Sequence, residues 1–315
     1  MSINSGLLIK PPYNDHMDKP VSDLKKKRVS FSQYSNWFRC PHKWKWDYLE
    51  GKRKFEGSIN TCFGTAIHEA LQLYLEILYT KSHVEADGLK LFDIFKTSFD
   101  KELADGVTKN LKYTEDEYTE FCFDGQDILG EFTKPVNRLK NFPSKKYEFI
   151  GTEIPLEMDI KYNVQFLGFL DIVLRDKSTG KYKIIDFKTS STGWNSYMKE
   201  DESKYSQLII YKAFYSKKLQ VPLENIEIEF FILKRKLFSN AKFPQSRLQL
   251  FSPCNNKPAV VESLGGFTSF IEACFVEDGS FNVNGSFPKV PGKGKKHCRY
   301  CPHKNVNCDA KEERS

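Results

Sequence analysis

Three residues in the middle of the chain have the types and spacing for hydrolytic chemistry. Gly-Phe-Leu-Asp171-Ile-Val-Leu is followed by Ile-Ile-Asp186-Phe-Lys188-Thr. Both stretches are otherwise apolar and read as strands. Side chains alternate across a strand, so Asp186 and Lys188, two apart, share a face. A hairpin would set Asp171 beside them. Ionised carboxylates inside apolar strands are costly unless a cation or partner compensates them. Two carboxylates can hold Mg2+ or Mn2+, hard cations that prefer oxygen ligands. Such an ion polarises a phosphodiester and lowers the pKa of water beside it. Lys188 would orient the attacking water or stabilise charge developing on the phosphate. Asp-x-Lys alone is a common pattern that a strand-end salt bridge would serve equally well, so the surrounding elements must decide.

Those elements form a β-meander within a helical frame. Tyr147 to Ile160 alternates as a strand does, and Val164 to Arg175 is a second strand. The polar turn Asp-Lys-Ser-Thr-Gly at 176–180 leads to a third, Lys181 to Lys188. A further apolar strand, IEIEFFILK, lies near 226–234, and helices are expected over about 200–218 and 258–275. The first part of the chain is largely α. Ser30 to about Glu50 is dense in aromatics and reads as one or two short helices capped by Ser30 or Ser32. Cys62 to Thr80 carries apolar residues at Ile67, Leu71, Tyr74, Leu75 and Leu78, with Gly64 marking its beginning. Helical patterns continue through roughly 89–104 and 115–140. There is no internal repeat. The expected architecture is α/β: a central mixed sheet with flanking helices and a helical N-terminal subdomain. Its divisions are a flexible basic arm at 1–29, a mainly helical subdomain at 30–145, a sheet-bearing core at 146–278 and a cysteine-bearing segment at 279–315.

Four other residues surround the carboxylates and lysine in sequence order. His68 sits in Gly64-x-x-x-His68 on a helix. Glu153 lies in the strand before Asp171. Gln207 and Tyr211, four apart, share one face of the helix after Lys188. Singly, His68 could be a structural histidine, and Gln207 and Tyr211 an amphipathic face. Together, from Gly64 to Tyr211, they resemble the RecB-like branch of the PD-(D/E)xK nuclease superfamily. That branch shows Gly-x-x-x-His, a Glu, a Gly–hydrophobic–hydrophobic–Asp run, Asp/Glu-x-Lys, and a Gln and Tyr four apart. One departure is Asp186, where many members carry Glu; Asp is a known alternative. The resemblance implies a restriction-endonuclease-like sheet. It makes His68, Asp171, Asp186 and the Phe187 carbonyl metal ligands and Lys188 catalytic. Glu153 would support the attacking water, and Gln207 and Tyr211 would position the lysine or DNA.

Eight cysteines raise a second question. Cys62, Cys122, Cys254 and Cys274 are scattered and read as simple buried thiols. Cys298-x2-Cys301-x6-Cys308 is a cluster, and Cys40, followed by Pro41, is the best candidate for a fourth ligand. One distant N-terminal cysteine plus three clustered C-terminal ones resembles the iron–sulfur subgroup of the same superfamily. CRISPR-adaptation nucleases and the AddB nuclease domain belong to that subgroup. The resemblance implies a [4Fe–4S] cluster that ties the two ends of the chain together. Zinc is the alternative, since sites of four cysteines also bind zinc and His42, His297 and His303 lie close by. Three unligated cysteines is the remaining reading.

Composition sets the outer bounds. With 315 residues, 40% hydrophobic and 28% charged, the chain can bury a sizeable core. A net charge of +7 is compatible with a polyanionic partner and equally with a solvated mixed-charge surface. The first twenty residues lack a signal-peptide core and include Asp15 and Asp18, and no apolar run reaches membrane-spanning length. The expectation is a cytoplasmic protein of a bacterial or phage-infected cell. Lys25 to Arg28 form a basic cluster that could touch phosphate or lie in a solvated linker. No Gly-x4-Gly-Lys-Ser/Thr motif appears, so any helicase or recombination protein would be a separate partner. The expected function is a Mg2+- or Mn2+-dependent deoxyribonuclease, an exonuclease or flap-type enzyme on single-stranded DNA ends in replication, recombination or repair. The alternatives are a non-catalytic DNA-binding or recombination-accessory module and an RNA nuclease.

Overall fold

Strand pairing is organised by the turn at 176–180. The computed structural model of the chain describes residues 26–53 and 57–308. In the turn, the Asp176 Oδ1 accepts hydrogen bonds from the Ser178 and Thr179 amides at 2.8 and 3.0 Å, and Gly180 takes the left-handed conformation such a turn requires. This joins β3 (Val164–Asp176) to β4 (Tyr182–Ser190) in antiparallel register, Ile172 facing Ile185. On its other edge β3 pairs antiparallel with β2 (Tyr147–Asp159). β5 (Ile226–Lys234) lies parallel to β4 along its whole length, and β6 (Leu248–Phe251) closes that side antiparallel to β5.

Two strands escaped the sequence reading. β6 is four residues long, too short for a period to show. β1 (Lys27–Val29) is three residues, and it pairs parallel with Val164–Phe166 of β3. This corrects the expected arm at 1–29: its last residues are part of the sheet, where Val29 is buried and Lys26 pairs with Asp159. Of the basic cluster, Lys25 lies outside the described residues. β1 and β4 share one edge of β3 and leave residues 167–171 between them without a strand partner on that side.

Helices cover both faces of the sheet. One face packs against α1 (Phe31–Arg39), α2 (Pro41–Trp44, continued by a wider turn to Leu49), α9 (Glu202–Leu219) and α10 (Lys257–Cys274), with Phe166, Ile184 and Phe230 facing them. The other face packs against α3 (Ile59–Thr80), α5 (Leu91–Thr108), α6 (Glu115–Thr133) and α7 (Pro135–Asn141), over Ile172, Ile185, Phe187 and Phe231. Short α4 (His83–Asp87) and α8 (Ser196–Lys199) are connectors. The helical residues 30–145 therefore do not form one layer. Residues 31–49 bury their aromatic side chains, Tyr34 and Trp44 among them, in one core, while α3 to α7 build the other. The helix expected from Gly64 begins earlier, at Ile59, and the 115–140 helix breaks at Pro135, whose ring cannot continue the turn. Cys62 and Cys274 are buried as expected. Cys122 is half-buried, and Cys254 is exposed in the loop before α10, which corrects its reading as a core thiol.

Candidate active site

The strand register sets Asp171 opposite Asp186, one step beyond the last β3–β4 pair. There the backbone ladder stops, and the Asp171 side chain replaces it: Oδ2 accepts a hydrogen bond from the Phe187 amide at 2.8 Å. The pleat also slips here. Leu170 and Ile172, two apart, lie in opposite cores. Across from Asp171 on β2, Glu153 has a φ of +48°, an uncommon backbone conformation for a residue with a side chain. The site thus forms where β3 and β4 part, and it is reached from both helical layers.

From one layer, α3 brings His68. Gly64 permits the approach, because a Cβ there would meet the Thr189 hydroxyl of β4 at 3.2 Å. One turn on, the His68 Nδ1 stands 3.5 Å from Asp171 Oδ2, and its ring is hydrogen-bonded to the Phe187 backbone. From the other layer, α9 brings Gln207 and Tyr211. The Lys188 Nζ lies 2.7 Å from Asp186 Oδ2 and donates to Gln207 Oε1 at 3.0 Å. Gln207 Nε2 in turn donates to the Tyr211 hydroxyl at 3.3 Å, and that hydroxyl also meets the Phe169 backbone. Gly168 leaves room for it: a Cβ there would lie 3.0 Å from the Tyr211 ring. The chain Lys188–Gln207–Tyr211 fixes the ammonium from behind.

Electrostatics distinguish the members. Burial pushes both carboxyls up to about 6; Lys188 opposes this in each, and for Asp186 the neighbouring Asp171 adds to the rise. Burial, then the nearby Lys188 charge, lowers His68 to about 4, so its imidazole is neutral at physiological pH and able to act as a ligand. Burial alone would lower Lys188, but Asp186 and then Asp171 outweigh it and hold the ammonium above its ordinary value.

These donors fit a hard divalent cation. Among the described residues, no three His, Cys, Asp or Glu side chains are drawn into ligating geometry as the site stands. Yet Asp186 Oδ2 is buried and makes no well-directed hydrogen bond, despite the ammonium beside it. Two carboxylates held up by burial, a neutral imidazole and the Phe187 carbonyl supply one nitrogen and several oxygens. An ion there would relieve the burial penalty that now falls on Asp171 and Asp186.

One residue of the site was missed in the sequence. Gln72, buried on α3, donates from Nε2 to Glu153 Oε1 at 2.6 Å and so holds the carboxylate of the strained residue. Its signal was available: it lies four residues after His68, on the same helix face.

The four cysteines singled out lie near enough to act on one another's thiols, although among the described residues no three of them are drawn into ligating geometry. Burial raises the Cys308 thiol, and thiolates at Cys40, Cys301 and Cys298 all lie close enough to raise it further; Cys301 likewise feels Cys40 and Cys298. All four are free thiols. The nearby histidines are engaged elsewhere. His303 Nε2 is hydrogen-bonded to Asp47 Oδ1 at 2.7 Å and its Nδ1 to Asn307 at 3.0 Å. His42 Nε2 accepts from the Trp46 indole at 3.1 Å, and His297 Nδ1 meets the Val290 carbonyl at 3.1 Å. The donors left over are the four thiols and the His297 Nε2; four thiols suit an iron–sulfur cluster or zinc, and a His in place of one suits zinc. The Asp47–His303 pair, buried on both sides, also joins the chain ends and had no motif to announce it. Burial would raise Asp47, but His303, Lys43 and Asn36 outweigh it and hold the carboxyl below its ordinary value.

The model of the PD-(D/E)XK nuclease superfamily aligns with residues 28–308, from β1 to the last of the four cysteines. No curated protein matches the chain.

Proposed function

Because the chain belongs to the PD-(D/E)XK nuclease superfamily, and so is a phosphodiester-cleaving nuclease, we propose that it degrades single-stranded DNA from an end, with Mg2+ or Mn2+ at the His68–Asp171–Asp186 site and a [4Fe–4S] cluster on Cys40, Cys298, Cys301 and Cys308. The observation that carries this reading is one cavity of about 720 Å3 that runs from Lys188 to Cys40 and Cys301. Its volume is that of a small-ligand pocket, roughly 300–1,000 Å3. A cavity of that size suits a few nucleotides of one strand better than a duplex. Two exposed rings line it, Tyr197 at 59% and Tyr300 at 85% exposure, and both offer faces on which bases stack without regard to sequence.

The residues divide the work as follows. His68, Asp171, Asp186 and the Phe187 carbonyl would hold the divalent ion, which supplies Lewis-acid polarisation of the scissile phosphate. Lys188, fixed by Gln207, places its positive charge where charge develops on the phosphate. Glu153, fixed by Gln72, faces Asp171 across the strands and is placed to accept a proton from the attacking water. The cluster would staple α1 and α2 to the segment after Gly279. The intact Asp171, Asp186 and Lys188 argue against a non-catalytic accessory module. Replication, recombination or repair, alone or beside a separate helicase, is the setting in which single-stranded ends arise.

The test is a cleavage assay on end-labelled DNA, linear and circular, single- and double-stranded, with Mg2+ or Mn2+. Linear single strands should be degraded and single-stranded circles spared. Equal attack on circles would replace the end-dependent reading with an endonuclease, and preference for duplex would overturn the single-strand reading.

A further inference from the structure

The cavity beside the catalytic lysine holds more positive charge than the chemistry at the scissile phosphate uses. Lys188 is followed along its wall by Lys204, Arg39 and Lys296. Each cation feels the next: Lys204 feels both Arg39 and Lys188, and Lys296 feels Arg39. The string therefore runs from the reacting centre to Lys296, two residues before Cys298. Holding like charges side by side is unfavourable unless an anion accompanies them.

The side chains are held in place. Arg39 Nε donates to the Ser203 hydroxyl at 3.1 Å, and Ser203 is fixed in turn by Asp201 at 2.7 Å. Lys204 is half-buried, with its Nζ 5.5 Å from the centre of the Trp194 ring. Lys296 donates to the Tyr197 hydroxyl at 2.9 Å. Neither Arg39 nor Lys204 forms an ion pair with an acid among the described residues. Among the described residues the one carboxylate in the cavity wall is Asp201, which caps α9 by accepting from the Ser203 amide at 3.1 Å and also acts on Lys204 and Lys296. Burial and then the Arg39 charge lower the Lys204 ammonium, and the nearby Asp201 offsets them only in part.

We propose that Arg39 and Lys204 form a subsite for the backbone phosphate adjoining the scissile one, on the side of the cysteine segment. The enzyme then recognises a strand by at least two successive phosphates, one reacting at Lys188 and one held by this pair. This rests on the nuclease reading and deepens it. A substrate with a single phosphodiester, such as a dinucleoside monophosphate, leaves the subsite empty. A longer oligonucleotide fills it and gains affinity that the bases do not have to supply.

Binding and cleavage separate the subsite from the nuclease reading. Anisotropy of a fluorescent oligothymidylate bound to Asp186→Asn protein in EDTA, titrated with KCl, gives the salt slope, about 0.7 per phosphate neutralised on a single strand. Arg39→Gln and Lys204→Gln should each lower the slope by part of that amount and the double variant by about all of it, while Lys204→Arg should keep the parent slope. In the cleaving enzyme with Mg2+ or Mn2+, the gain in kcat/KM from dinucleoside monophosphate to decamer should shrink on the order of tenfold in either Gln variant, the cost of one charge-assisted contact. Unchanged slopes, or equal losses on short and long substrates, would overturn the subsite. If the parent protein cleaves neither substrate, the nuclease reading fails, and the slopes alone decide whether Arg39 and Lys204 hold phosphate.

Discussion

Replacing Asp186 by asparagine should destroy activity and, without metal, make the protein more stable. The reason lies in the burial of the carboxylate. Asp186 is 3% exposed, and its pKa rises from 3.8 to about 6. That rise corresponds to roughly 3 kcal/mol by which the folded protein disfavours the ionised form. The sign follows from linkage. The unfolded carboxyl ionises near 3.8 and the folded one near 6, so the penalty is absent below the lower value, grows between them, and is complete above the upper. Asparagine has the same shape and no charge, but its amide will be imperfectly satisfied, at a cost of about 1–2 kcal/mol. A net gain of about 1–2 kcal/mol at pH 8 remains, or a rise of a few degrees in Tm for a chain of this size. The assay is thermal unfolding of both proteins in EDTA at pH 8 and pH 5. The gain should be present at pH 8 and shrink at pH 5. Adding Mg2+ or Mn2+ should then raise the Tm of the parent protein more than that of Asp186→Asn. A variant less stable than the parent at pH 8, or a gain independent of pH, would refute the claim that this carboxylate is held ionised against its burial for the sake of a cation.

Three further outcomes follow from the same geometry. His68→Ala should raise the Mn2+ concentration needed for half-maximal cleavage on the order of tenfold, the range for a weakened metal site; a lowered Tm with unchanged metal dependence would make His68 structural. Gln207→Ala should lower kcat roughly tenfold with little change in Tm, because Lys188 loses the acceptor that aims it; an unchanged kcat would show that Asp186 alone positions the lysine. Anaerobically purified protein should be brown with roughly four irons per chain, and Cys40→Ala should release them although Cys40 is distant in sequence from Cys298, Cys301 and Cys308; one zinc and no iron would replace the cluster with a zinc staple.

Much of the fold was legible because the strands around the site are long and rich in apolar residues. The bounds of β2, β3 and β5 agree closely with the expected runs, although the alternation breaks at the bulge after Phe149 and where the pleat slips beside Asp171. The Asp171–Asp186 juxtaposition followed from the turn chemistry at 176–180, which fixes the register. Short elements were not legible: the three residues of β1 carry no period, and their place beside β3 is a long-range contact that local pattern does not encode. The division of the first helices between two sheet faces was hidden for the same reason. At the site, Gly64, His68, Gln207 and Tyr211 had spacing to betray them. Glu153 was singled out in the sequence as a candidate, but its backbone strain and its hold by Gln72 were not visible there. Arg39 and Lys204 belong to no motif; they meet only because α1 and the start of α9 pack side by side.

The most direct test compares the parent protein with Lys188→Ala and Asp186→Ala on linear, end-labelled single-stranded DNA with Mg2+ or Mn2+, with folding of each variant checked by circular dichroism. The parent should cleave only with the metal. Both folded variants should fall by on the order of 100-fold or more, as expected for loss of charge stabilisation or a metal ligand at the reacting phosphate. Cleavage by either folded variant at the parent rate would contradict the assignment of this site.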